Sequence, residues 1–476
     1  MAVGRTRPTV SVIIINYNGG RILPVIEQNV EGVKNQTVSD WELILVDDGS
    51  TDGSGGFLAS LADGERVHFV QAPHKGVGPA RNAGLKIAQG QYLAFIDNDA
   101  IPATDWLERI LAFFETHPNH GAVASLVFFA DRPGVVNSAG CVLNELAHGM
   151  GVGMETLYPF FTLPEDVLYA TGNGMVIRRE ALEATGWFDE GYRFYGHDDS
   201  DIGIRIRKAG YEIAPVGDAI LQHLHSVSKQ EPGMNFWDQR NRLRFVMKHY
   251  STRELARFLL TDISRHIRGA NRGIYLNAWT SAIQGLGGIW RYRTANRGKP
   301  PYFDQFARFF TPERRFFTIF ENRRFARDWH TIGTGIKMGE NEKNYLYQGW
   351  YWPERRHNRP LRWARPVASF RFVTEEPIEK ITLSMMLHHR MEQIKLKVHL
   401  YPWSETWHLN PPAATTETTI EGPKGKFIEA AISLPPSEPG KYLLVFEASD
   451  CVLGQGHFPR QFGWGLAEME VHPCAF

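Results

Sequence analysis

Cysteine is scarce: the 476 residues hold three, Cys141, Cys451 and Cys474. They stand far apart and are odd in number. That excludes a disulfide framework and a Cys-x-x-Cys zinc site, and a reducing compartment is the simplest setting. Long apolar runs are missing too, none reaching about 18 residues, so no membrane-spanning helix is expected. The first residues, MAVGRTRPTV, enter a strand without an apolar leader core. The expectation is a cytoplasmic chain, free or peripheral at the inner face of the cytoplasmic membrane. Net charge is likewise lacking: 52 Lys and Arg balance 52 Asp and Glu. No global field draws the molecule to nucleic acid, and no such partner is expected. Internal repeats and low-complexity segments are absent as well.

The composition itself is that of a folded protein, 43% hydrophobic and 22% charged, in a chain long enough for two or three domains. Val10 to Ile15 is an apolar run too short for a helix and fits a strand buried on both faces. Glu42 to Val46 and Tyr92 to Ile96 repeat the pattern. Helices are expected between them at about Arg21 to Asn35, Gly55 to Leu61 and Pro79 to Ala88. Such alternation predicts an α/β unit with a mostly parallel sheet that binds ligands at the C-terminal strand ends. Polar residues gather at those ends: Asn16-Tyr17-Asn18-Gly19, Asp47-Asp48-Gly49-Ser50-Thr51-Asp52 and Asp97-Asn98-Asp99.

Asp97 and Asp99 on a tight turn at a strand end can hold a divalent cation, because magnesium and manganese prefer carboxylate oxygens. The plainer reading is a solvated turn that caps the next helix. Asp47-Asp48-Gly could likewise be a hairpin turn, but helix rather than a return strand comes after it. Gly196-His197-Asp198-Asp199-Ser200-Asp201 precedes IGIRIRKAGY, whose Ile202 and Ile206 are spaced for one buried face. Capping needs one acid, not three. Carboxylates held there by the helix dipole can serve as a general base. His223 and His225, one residue apart after the short strand Ala219 to Leu221, would share a face, and either could complete a metal site.

The segment from about Val10 to Ser228 resembles the family 2 glycosyltransferases of GT-A fold. It carries SVIIINYN, WELILVDDGSTDGS, GPARNAGLKIAQGQYLAFIDNDAIP, ATGNGMVIRREALEATGWFDE and YGHDDSDIGIRIRKAGY in family order. The resemblance implies an inverting, metal-dependent enzyme using Mn2+ or Mg2+. It would move a sugar from a UDP- or dTDP-sugar to a hydroxyl of a glycan or lipid-linked saccharide, in bacterial cell-surface polysaccharide synthesis. It places Tyr17, Asn18, Asp48, Arg81, Asp97 and Asn98 at the nucleotide sugar, and Gly172, Asn173 and Trp187 on the acceptor side. Asp97, Asp99 and His223 or His225 would meet the metal. Where relatives commonly read Gly-Glu-Asp-x-Asp, this chain has Gly-His-Asp-Asp-Ser-Asp. Asp198 therefore remains an alternative base to Asp199, which keeps the family spacing to Asp201.

The expected domains are a GT-A unit over 8–232, a helical Arg-rich connection over 233–331 and a β-sandwich over 332–476. Short alternating runs at Ala368 to Val373, Lys395 to Tyr401 and Lys441 to Phe446 support the sandwich. Its segments GWYWPE, RWARPVASFRF and PRQFGWGLAEMEV resemble β-sandwich domains appended to bacterial polysaccharide glycosyltransferases, and it would bind carbohydrate or place the acceptor. Trp350, Trp352 and Trp363 could stack on sugar rings or fill its core. Between Ser251 and His330, 15 Lys and Arg stand against 6 Asp and Glu, an excess of 9. With Arg257, Arg265, Arg268, Arg291 and Arg293 among apolar residues, this segment suits a peripheral membrane contact or a packed helix with solvated arginines. Three other functions fit parts of the chain: a polyprenyl-phosphate sugar transferase, a nucleotidyltransferase and a carbohydrate-binding protein with a degenerate transferase unit. Sequence does not specify the oligomeric state.

Overall fold

Strand pleating sends Val12 and Ile14 of β1 (Val10–Asn16) into one apolar layer and Ile13 into another, and all three are fully buried. Full burial of each such side chain contributes about 1.5–3 kcal/mol. This two-faced burial is why the strand reads as a continuous apolar run. The computed structural model describes residues 7–144, 146–224, 234–266, 272–297, 335–337, 346–356, 359–387, 391–403, 411–435, 437–449, 452–453, 461–462 and 464–473. By contacts the chain forms two compact units. One comprises Met1–Ala130, Asn137–Met154 and Thr162–Thr311, the other Asp131–Val136, Glu155–Phe161 and Pro312–Phe476.

In the first unit β1 is succeeded by α1 (Leu23–Lys34), β2 (Trp41–Asp47), α2 (Ser54–Leu61), β3 (Val67–Gln71), α3 (Val77–Leu85), β4 (Tyr92–Asp97), β5 (Ala100–Pro102), α4 (Trp106–Thr116) and β6 (His120–Phe129). Four short strands come next along the chain, β7 (Val135–Ala139), β8 (Cys141–Leu143), β9 (Gly149–Gly151) and β10 (Thr156–Leu157), of which β10 and the first two residues of β7 belong to the second unit. After these stand β11 (Met175–Arg178), α5 (Arg179–Thr185), α6 (Asp198–Lys208) and β12 (Glu212–His223). The sheet order runs β6-β11-β4-β1-β2-β3. β1 is parallel to β2 and β4, and β2 to β3, whereas β11 lies antiparallel between β4 and β6. β12 runs parallel to β6 and antiparallel to β5. This is the expected mostly parallel mixed sheet. α1 and α4 cover one face through Ile26, Val30, Trp106 and Phe114, while Leu85, Leu182, Ile202 and Ile206 of α3, α5 and α6 cover the other.

The expected helices at the N-terminus exist with shifted ends. Arg21 belongs to a 3-10 turn before α1, and α3 starts two residues before Pro79. α7 (Met234–His249), α8 (Thr252–His266), α9 (Arg272–Gln284) and α10 (Leu286–Ala295) confirm a helical segment. They contribute to a further core, where Leu243, Phe245, Ala278 and Ile289 pack with Tyr192 and Ile204. Among the described residues no helix is long and apolar enough to cross a membrane.

The second unit contains β13 (Gly335–Lys337), β14 (Leu346–Arg356), β15 (Arg359–Thr374), β16 (Ile378–Leu387), β17 (Gln393–Pro402), β18 (Ala414–Glu421), β19 (Phe427–Ser433), β20 (Gly440–Ala448), β21 (Val452–Leu453), β22 (Gln461–Phe462) and β23 (Trp464–Pro473). The main order is β18-β17-β20-β15-β23-β16-β19. β15 pairs with β20 through Val367–Thr374 and with β23 through Arg362 and Trp363, so one long strand serves two layers. The first and last strands of the order meet where Thr416 Oγ1 donates to the Ser433 carbonyl at 2.9 Å. The result is a β-sandwich around one apolar core. Trp350 is 1% exposed and packs on Phe370 and Trp464 at 4.7 and 5.6 Å between ring centroids. It fills the core and cannot be a sugar platform; the side chains of Trp352 and Trp363 lie outside the described residues.

Candidate active site

Asn16, the last residue of β1, is completely buried and ties three strand ends together. Its Nδ2 donates to Asp47 Oδ1 at 2.9 Å and Ser54 Oγ at 2.9 Å, and its Oδ1 accepts from Asn98 Nδ2 at 2.7 Å. Asp47 also accepts from the Ser50 amide at 2.9 Å and Gln71 Nε2 at 2.8 Å. Although burial opposes ionisation, these donors hold its carboxyl below the ordinary carboxylate range. Asn18 joins the turn, its Oδ1 accepting from the Thr51 amide at 3.0 Å. The two adjacent aspartates therefore divide: Asp47 fastens the loop, and Asp48 turns the other way.

Asp48 is 3% exposed and accepts from the amides of Lys75 and Gly76 at 3.1 and 2.8 Å. Burial nevertheless raises its carboxyl above the ordinary value. His74 anchors through Nδ1 to the Asp48 carbonyl oxygen at 2.9 Å, and its ring stacks on Tyr17 at 4.6 Å and meets Phe194 edge-on at 5.2 Å. Tyr17 is 40% exposed, so this aromatic wall faces solvent. The loops are tightly constrained. Asn18, His74, Phe194 and His197 all have positive φ, costing on the order of 1 kcal/mol or more each. Gly76, at φ 98°, lies so close to the Phe194 backbone that a Cβ would collide with it.

Asp97 at the end of β4, Asp99 in the turn after it and His223 at the end of β12 bring one ligand atom each to within 4.8 Å of one another. Asp99 is buried and His223 Nε2 stands 3.1 Å from its Oδ1. The antiparallel pairing of His223 with Ala100 produces this approach. Burial, then the neighbouring Asp99 charge, raises the Asp97 carboxyl. Two crowded carboxylates and an imidazole are a donor set that suits a hard or borderline divalent cation. His225 lies outside the described residues.

The four-residue acidic cluster at α6 separates into three environments. Asp198 is buried and ion-paired with Arg81 Nη1. Gly172 leaves room for that guanidinium, since a Cβ there would overlap it. Asp199 is only half-buried and has no cationic partner in direct contact among the described residues. Burial, followed by the Asp198 charge, pushes its carboxyl up to about 7, against the amides of Ser200 and Gly172. Asp201 is 0% exposed and held by Arg205 at 2.8 Å and by Lys248 and His249 at 2.7 Å each. Its carboxyl lies well below the ordinary range, because the Lys248 and Arg205 charges and the His249 hydrogen bond outweigh burial.

Most of the expected residues thus gather at one end of the sheet. The charges of Arg81 and Asp198 act on Asp97, and those of Asp97, Asp198 and Asp199 all act on Tyr195. Asn173 adjoins them in sequence, is 6% exposed, and neither polar atom of its side chain has a hydrogen-bond partner among the described residues. Trp187 stands elsewhere, lining a cavity with Asp189, Arg205 and Tyr292. Sequence reasoning missed Asn16 and His74 as functional positions. Asn16 had a signal, a polar residue ending a wholly buried strand; His74, in the loop APHKGVG, had none.

The chain matches the family model described as Glycosyl transferase family 2 over residues 11–186. It is 41% identical over 109 residues to the putative teichuronic acid biosynthesis glycosyltransferase TuaG of Bacillus subtilis, covering 22% of this chain and 42% of that protein. An uncharacterised glycosyltransferase of Nostoc sp. is 30% identical over 184 residues, 37% of this chain and 52% of that one. The chain thus spans about half the length, or less, of these relatives. A crystal structure of GalNAc-T7 with UDP, GalNAc and Mn2+ superposes with TM-score 0.45 at 16% identity, covering 62% of this chain and 59% of that one. Residues 11–186, built on the mixed sheet described above, thus form a family 2 glycosyltransferase domain.

Proposed function

We propose that the protein is an inverting, metal-dependent glycosyltransferase of bacterial cell-surface polysaccharide synthesis. It would move a hexosyl or deoxyhexosyl group from a UDP- or dTDP-sugar to a hydroxyl of a glycan or lipid-linked saccharide. The observation that carries the reading is the unequal treatment of Asp198 and Asp199. Arg81 occupies the first, and the second is left half-exposed with a proton affinity near neutrality. A base of that strength is matched to taking a hydroxyl proton at physiological pH. Asp97, Asp99 and His223 would hold the divalent ion, which supplies compensation for the negative charge of the departing nucleoside diphosphate. Tyr17 and His74 offer a stacked edge to the base, and Asp48 an acceptor beside it. The unpaired amide of Asn173 supports a polar contact to sugar or acceptor. The names of relatives in teichuronic and teichoic acid biosynthesis support the polysaccharide setting.

The test is transfer itself. Full-length protein, Mn2+ and a panel of UDP- and dTDP-sugars should show donor-dependent stabilisation in thermal shift. With an accepted donor and saccharide, the product should have the opposite anomeric configuration, and EDTA should abolish its formation. Retention of configuration would overturn the single-displacement reading. A peripheral membrane contact is supported by apolar side chains exposed on α8–α10, among them Leu260 at 77% and Trp290 at 73%. Flotation with anionic vesicles, diminished by Leu260→Glu/Trp290→Glu, checks it.

A further inference from the structure

A cavity of about 550 Å³ within the first unit is lined by none of Asp48, Asp97, Asp99, Asp198 or Asp199. Five cationic side chains line it, Arg205, Lys208, Arg244, Lys248 and Arg291, against one carboxylate, Asp189. Asp189 accepts from Arg244 at 2.9 Å and Lys248 at 2.7 Å, while the nearby Asp201 takes Arg205 and Lys248. Among the described residues, three buried cations, Arg205, Arg244 and Lys248, share the two carboxylates Asp189 and Asp201. Arg205, Arg244 and Lys248 are 8%, 5% and 5% exposed, so most of this positive charge is withdrawn from water. Excess buried charge of one sign is unfavourable without a counter-ion and concentrates anions in a concave site. Arg205 Nη2 and Arg244 Nε have no hydrogen-bond acceptor among the described residues, so the two carboxylates leave donors over. Trp187 and Tyr292 add an aromatic wall, with Lys248 Nζ 4.6 Å from the Tyr292 ring centroid.

We propose that this cavity is a second ligand site, which binds the phosphoryl group of a phosphate-bearing ligand apart from the donor. A phosphate offers several oxygens to guanidinium forks and ammonium groups at once. Arg205 and Lys208 come six and nine residues after Asp199 on α6, about 9 and 14 Å along the helix axis. The site is therefore separate from the reacting atoms and does not need the divalent ion.

The experiment uses full-length protein in EDTA at constant ionic strength. Pyrophosphate is titrated by calorimetry against a chloride control, and vesicles of phosphatidic acid are compared with phosphatidylcholine by flotation. Saturable binding is expected. The Lys208→Ala/Arg291→Ala variant should weaken it by about tenfold or more, with binding of UDP in Mn2+ unchanged. Pyrophosphate binding without vesicle binding identifies a soluble phosphate as the source; vesicle binding alone identifies a lipid headgroup. Equal binding by wild type and variant, or binding of neither probe, overturns the proposal. Should the double variant unfold, Arg291→Gln at an exposed position provides the same comparison.

Discussion

Asp199 and Asp201 stand two residues apart at the start of α6, and burial acts on both, yet their acidities move in opposite directions. Asp201 sits among Arg205, Lys248 and His249, whose charges and hydrogen bonds outweigh the desolvation of its carboxylate. Asp199 has beside it another acid, Asp198, and the nearest guanidinium is already engaged with that neighbour. One acid is thereby a structural anchor between α6 and α7, and the other is a group with a proton to exchange. The same division separates Asp47, fastened by Asn16, Ser50 and Gln71, from Asp48. In both pairs a step of one or two positions separates a carboxylate held below its ordinary range from one raised above it.

The contrast can be broken most severely at Asp199. Asp199→Asn should lower kcat by about 10²–10⁴-fold with the thermal unfolding midpoint preserved. Turnover within tenfold of wild type in a radiolabelled-donor assay would place the base elsewhere. Asp201→Ala should do the converse. It leaves Arg205 and Lys248 buried without their common partner and should cost about 3–5 kcal/mol of stability in urea unfolding; a loss under about 1 kcal/mol would mean that α7 is anchored otherwise.

Acidification sharpens the comparison. A base that must be ionised, with its carboxyl at about 7, makes kcat/KM fall about tenfold per pH unit below that value. Stability responds differently. Between the ordinary carboxylate range and about 7, the unfolded chain has released the Asp199 proton while the folded chain keeps it, so this group's contribution declines as pH rises. His197 and His249 act oppositely. Buried neutral, with values lowered to about 3, they leave the unfolded chain binding more protons below its ordinary 6.5, so their contribution is lost as pH falls from about 6.5 toward 3. A pH–rate profile beside a pH series of unfolding midpoints separates these limbs; a flat rate profile from about pH 5 to 8 would contradict an Asp199 base. The smallest effect is expected at the aromatic wall. Tyr17→Ala should raise the donor KM by about 2–10-fold with little change in kcat, as steady-state kinetics would show.

Much of the fold was legible because it rests on periodicity. The runs at Val10, Glu42 and Tyr92 are apolar on both faces apart from Ser11 and Glu42, as a sheet covered on both sides requires, and they became β1, β2 and β4. Helix ends were less legible: Arg21 and Ala88 fall outside their helices, since local turns and not the apolar pattern set where winding begins and stops. In the second unit the alternating runs are within β15, β17 and β20, but Trp350 offered two readings to sequence and only the packing of Phe370 and Trp464 around it selects the core.

By itself the sequence determined which residue types lie at each strand end, because apolar periodicity fixes where a strand runs and therefore which polar residues stand just beyond its last position. The ordered motifs then specified the family. Tertiary structure decided which acids are occupied. Arg81 reaches Asp198 from another helix, Lys248 and His249 reach Asp201 from 47 and 48 residues downstream, and His223 joins Asp99 through a β-pairing. Acidity depends on distance in space and on exclusion of water, and neither quantity is carried by position along the chain.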